Sequence, residues 1–161
     1  MAFDRDKNYA CLSVSLEDPA ISVEEIVRVL QRTPDETRRL GEQSTPNGPA
    51  SKWNSVSYFL GNSDEQPLNL QLGEAVMKLG NELADRLSLL AQRGASVSVQ
   101  YVQSVHGDAD TAAKGIWLES GAIAWLARAQ ASLDIDQYFY ADESTTDRFE
   151  SSPSQTAPLL K

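Results

Sequence analysis

A chain of 161 residues, 41% hydrophobic and 23% charged, has the length and composition of one globular domain with tails. Fourteen Lys and Arg against 23 Asp and Glu leave a formal charge of −9. That balance argues against a chain built to neutralise nucleic-acid phosphates or to sit on an anionic membrane. The one cysteine, Cys11, excludes an internal disulfide, and no apolar run approaches the roughly 20 residues that span a bilayer. The opening stretch "MAFDRDKNYA" lacks the apolar core of a secretory signal, so the expected compartment is the cytoplasm.

"YACLSVSL" (9–16) alternates, with Ala10, Leu12, Val14 and Leu16 on one face and Cys11, Ser13 and Ser15 on the other. Period two predicts a strand with one covered face. Ser22 and Glu25 then form an S-x-x-E capping box ahead of a helical stripe, Val23, Ile26, Val29 and Leu30, which Thr33-Pro34 ends. Thr33, Pro34 and Glu36 suit a short further turn of helix, after which Gly41, Pro46, Gly48 and Pro49 predict a loop. "WNSVSYFLG" (53–61) predicts a second strand. Its faces, Trp53, Ser55, Ser57 and Phe59 against Val56, Tyr58 and Leu60, leave open which one is buried.

"LQLGEAVMKLGNELADRLSLLAQRG" places Leu72, Val76, Leu79, Leu83, Leu87 and Leu90 at spacings of three and four, which predicts one long amphipathic helix with Gly94 at its C-terminal cap. "ASVSVQYVQSV" (95–105) alternates again, with Val97, Val99 and Tyr101 opposite Ser96, Ser98 and Gln100. A turn at "HGDADT", a strand at "AKGIWLES", a helix capped by Ser120 in "GAIAWLARAQASL" and a last strand at "LDIDQYFY" complete the order. Residues 1–8 are a polar lead-in and 9–140 the domain. Residues 141–161, rich in Ser, Thr, Asp, Glu and Pro, hold too few large apolar side chains to offset ordering and are expected to be a flexible tail. The expected fold is α+β: a two-layer sandwich of a mostly antiparallel or mixed sheet with two to three helices on one face, an order that also suits a ferredoxin-like variant.

Pro34 and Gly41 in the loop, Trp53 opening the next strand, and Leu133, Asp134, Ile135 and Tyr138 at the end carry a resemblance. The stretch from about 9 to 140 resembles a bacterial domain-of-unknown-function family, the one numbered 4279. The resemblance implies a small bacterial α+β domain and brings no catalytic residue with it.

Asp134 and Asp136 stand two apart, so on a strand they share a side. Paired carboxylates can hold a hard cation or divide acid and base roles, but the alternation of Leu133, Ile135 and Phe139 with them predicts a last strand with one wet face. Lone His106 and lone Cys11 carry no local signature of a nucleophile–base pair, and no P-loop, dinucleotide or G-x-S-x-G motif occurs. No cofactor or metal is expected. Trp53, Tyr58, Tyr101, Trp117, Asp134, Asp136 and Tyr138 form the candidate interaction surface, because aromatics with a polar handle favour interfaces. The expected function is a non-enzymatic protein-interaction domain, such as an acidic immunity-type or inhibitor protein masking a basic protein partner. The alternative is a small-ligand-binding or hydrolytic domain using Asp134, Asp136 or His106, and a third form is a self-associating domain. Neither nucleic acid nor membrane is an expected partner.

Overall fold

Alternation in β1 (Tyr9–Leu16) decides which side of the sheet is buried. Ala10, Leu12, Val14 and Leu16 are all at most 4% exposed, and the strands beside β1 repeat its pattern in register. The computed structural model describes residues 9–62, 68–106 and 118–140. In chain order the elements after β1 are α1 (Val23–Leu30), β2 (Glu36–Arg38), β3 (Asn54–Asn62), α2 (Leu68–Gln92), β4 (Ser96–His106), α3 (Ser120–Ala129) and β5 (Ser132–Tyr140). The strands make one open mixed sheet, ordered β2-β3-β1-β4-β5. β1 pairs antiparallel with β3 and β4, and β2 pairs antiparallel with β3, whereas β4 and β5 run parallel. A parallel pair needs a crossover, and α3 lies on that connection.

Leu12 faces Tyr58 on one side and Val99 on the other, Val14 faces Val56 and Val97, and Val99 and Tyr101 face Leu133 and Ile135. This row packs with Ile26 and Leu30 of α1, Leu83, Leu87 and Leu90 of α2, and Ala122, Trp125 and Ala129 of α3 in one core. All three described helices therefore cover the same face, giving the two-layer α+β arrangement. The opposite face carries Ser13, Ser15, Ser55, Ser57, Ser96 and Ser98, whose small side chains leave it flat. No described helix is long and apolar enough to cross a membrane.

Ser22 caps α1 as expected, its hydroxyl accepting from the Glu25 amide at 3.2 Å. Elsewhere two local expectations give way, and a third lies mostly outside the described residues. The expected helical turn after Pro34 is instead edge strand β2, paired with Ser55 to Ser57. Its pairing is reinforced where Asp35 accepts from the Phe59 amide at 2.7 Å, so the free edge of β3 overrides a weak local signal. The expected strand "AKGIWLES" lies mostly in 107–117, outside the described residues; Leu118 and Glu119 are not in a strand. Ser120 is not the cap of α3: Glu119 holds that position, with no side-chain cap hydrogen bond.

The long leucine helix is not continuous. At Gly80 the backbone takes φ 75° and ψ 161°, a region open in practice only to glycine, and α2 breaks there. The Gly80 carbonyl accepts from the Trp125 indole N–H at 2.9 Å, so the break is tied to α3. Beyond it the helix ends as expected at Gly94 (φ 91°): the Ala95 amide reaches the Leu90 carbonyl and the Gly94 amide the Ala91 carbonyl, a Schellman motif with buried Ala95 and Leu90 beneath it.

Arg128 of α3 grips Asp85 of α2 with two bonds, at 2.6 and 2.7 Å, and holds its carboxyl below the usual range, first by hydrogen bonding. A lowered folded value means stability that is fully present above the ordinary carboxylate value near 4 and lost as pH falls through the folded value. Asp85→Asn is expected to lower the Tm slightly at pH 7, because the pair is solvent-exposed, and to lose less Tm than wild type below about pH 4. Melting curves for both proteins across acid pH check this; parallel curves would show that the pair does not couple to folding.

Candidate interaction surface

The uncovered face is not uniform. In the cross-strand row Tyr9–Val102–Asp136, β1 has reached its first described residue while β4 and β5 run on to His106 and Tyr140. The next residues of β5 on this face, Tyr138 and Tyr140, follow Asp134 and Asp136 at period two. Tyr138 is 51% and Tyr140 40% exposed. A pocket of about 390 Å³ opens there, lined among the described residues by Tyr9, Val102, Tyr138 and Tyr140. Val102 is buried although it is not part of the helix-covered core, as expected of a floor between larger rings.

Asp136 is half-buried and accepts from the Gln100 amide nitrogen at 2.9 Å, which fixes its carboxylate across the β4–β5 seam. Asp134 is exposed one row along, opposite Gln100. The two carboxylates thus lie on the wet face of β5, while Leu133 packs against the core from the other side. Among the described residues no three His, Cys, Asp or Glu side chains converge to hold a metal ion.

Of the expected surface residues, the structure brings Asp134, Asp136 and Tyr138 together. Trp53 is 39% exposed but precedes β3, beside Leu16 at the far end of β1 from Tyr9. Tyr58 and Tyr101 do not belong to the surface: each is 1% exposed, on the helix side of the sheet. Their parity matches that of Leu12, so the rings fill the core. The Tyr58 hydroxyl donates to the Arg32 carbonyl at 3.0 Å, and burial pushes both phenols up to about 12. Trp117 lies outside the described residues.

Cys11 and His106 are not brought together. Cys11 stands opposite Gln100, six residues before the end of β4, so their backbones are roughly 20 Å apart along the strand. Cys11 does fall on the serine face, yet it is buried at 7% exposure, and burial pushes its thiol up, away from the reactive thiolate.

Tyr9 and Val102 are the members that the sequence did not single out. Tyr140 was signalled by its period-two relation to Tyr138; Tyr9 and Val102 join only through the strand register. Residues 7–140 match the family model described as Domain of unknown function (DUF4279). Comparison with curated proteins and with solved structures gives no match.

Proposed function

Because the chain belongs to the DUF4279 family, whose description assigns no activity, we propose its function from its own surface: a cytoplasmic, non-enzymatic interaction domain that masks a basic protein, as an immunity-type inhibitor does. One observation carries the reading. Tyr138 and Tyr140 stand half-exposed beside Asp134 and Asp136, on a sheet face that no described helix covers. Tyrosines supply contact area at low cost in side-chain entropy and keep a hydroxyl for a polar rim. Carboxylates beside them, in a protein of net charge −9, favour a basic partner and speed its approach. Inhibition by occlusion requires shape and charge alone.

The test is recovery of the tagged full chain from host lysate at low and high salt, with bound proteins identified by mass spectrometry. A stoichiometric basic protein, held at low salt and weakened at high salt, is the expected result. Asp134→Asn with Asp136→Asn is expected to reduce its capture. If the chain is recovered alone at both salts, or with a partner indifferent to the double substitution, the reading fails.

A further inference from the structure

We propose that the pocket lined by Tyr9, Val102, Tyr138 and Tyr140 receives a guanidinium group, an arginine side chain of the basic partner; this names the chemistry of the interaction surface above and rests on that reading. Among the described residues its lining is Tyr9, Tyr138 and Tyr140 with Val102. The faces of such rings carry negative quadrupole density, which attracts an organic cation, and guanidinium is the protein cation that sheds water most readily and stacks flat on aromatic rings.

Charge selects the same ligand. Asp136 continues the row Tyr9–Val102 and precedes Tyr138 by two residues on the same face, with Asp134 one step further. The bond from Gln100 orients the Asp136 carboxylate but uses only one of its roughly four acceptor sites, leaving capacity for the N–H fork of arginine. An anion would instead sit beside the carboxylate of Asp136, one row from Tyr138. Strands β1, β4 and β5 themselves contain neither Lys nor Arg. A volume of about 390 Å³ suits one long side chain and is too small for a docked helix.

The experiment titrates the full chain with N-acetyl-arginine amide, and separately with the citrulline analogue, which keeps the shape and loses the charge. Binding is read from NMR shifts of the tyrosines and of the β4–β5 amides. The arginine compound is expected to bind at least about tenfold more tightly than the citrulline compound, and Tyr138→Ala or Asp136→Asn to weaken it about fivefold or more. Both residues are at least partly exposed, and unchanged melting curves will show that the variants fold. Equal binding of the two compounds, or variants that bind as wild type does, overturns the proposal.

Capture from lysate separates this failure from that of the masking reading. If Tyr138→Ala captures the same basic protein as wild type does, the pocket assignment falls and masking stands. If no protein is captured yet the arginine compound binds wild type and neither variant, the guanidinium site stands with a free small molecule as its ligand, and both masking and the partner's arginine fall.

Discussion

Trp125→Ala is expected to destabilise the protein by about 3–5 kcal/mol, the range for truncating a buried aromatic. Trp125 is 3% exposed and joins α3 to the common core, so most of the loss is burial and the cavity left behind. The hydrogen bond from its indole to Gly80 is the smaller part. Trp125→Phe keeps most of the ring and removes only that donor, from a carbonyl on an exposed residue that water can reach. Its cost is expected to be about 1–2 kcal/mol. Gly80→Ala tests the other partner: a Cβ meets no atom within 4 Å, so any loss comes from the positive φ alone, about 1–3 kcal/mol. Urea unfolding of the three variants checks the ranking. A Phe variant as damaged as the Ala variant would show that the break in α2 hangs on the indole N–H. None of them should alter arginine binding per folded molecule, because the helices cover the face opposite the pocket.

That pair also shows where the sequence stops being legible. Strands β1 and β4 could be read from side-chain alternation alone, since one face had to be apolar and only one parity offered it. β5 was readable for the same reason, and with it the wet placement of Asp134 and Asp136. The break at Gly80 was not. Leu79, Leu83 and Leu87 keep helical spacing through it, and the unusual backbone is tied to Trp125, 45 residues away in sequence. β2 was missed because a three-residue polar strand has no pattern of its own and exists by pairing with β3. Tyr58 and Tyr101 were assigned to the surface from the residue type, although Tyr101 shares the parity of Val97 and Val99; for Tyr58 both faces of β3 stayed open, and its pairing with Leu12 decides the side. The pocket needs Tyr9, Val102 and Tyr138 side by side, a register that no local stretch encodes.

Asn54→Leu is expected to cost about 2–4 kcal/mol, although it swaps a buried polar side chain for an apolar one of similar size. Asn54 shares the core-facing parity of Val56 and Tyr58 and is 7% exposed, the only buried polar residue among those described. Its side chain donates to the Ile21 carbonyl at 2.9 Å and accepts from the Leu40 amide at 2.9 Å. It thereby ties the start of β3 to the residue before the cap of α1 and to the loop leaving β2. If burial of apolar area decided the outcome, leucine would be neutral or better. If hydrogen bonding decides it, leucine takes away both partners at a site shielded from water, at about 1–3 kcal/mol each. Asn54→Asp separates the two bonds, because it still accepts from Leu40 but cannot donate to Ile21 when ionised. It also buries a charge, so its stability should improve as pH falls and the carboxyl regains a proton able to bond the Ile21 carbonyl. Unfolding of both variants at pH 7 and pH 5, with hydrogen exchange at the Leu40 amide, reads these contributions apart. Faster exchange at Leu40 in Asn54→Leu but not in Asn54→Asp is the expected pattern, and an unchanged rate in both would mean that the loop is held by other contacts.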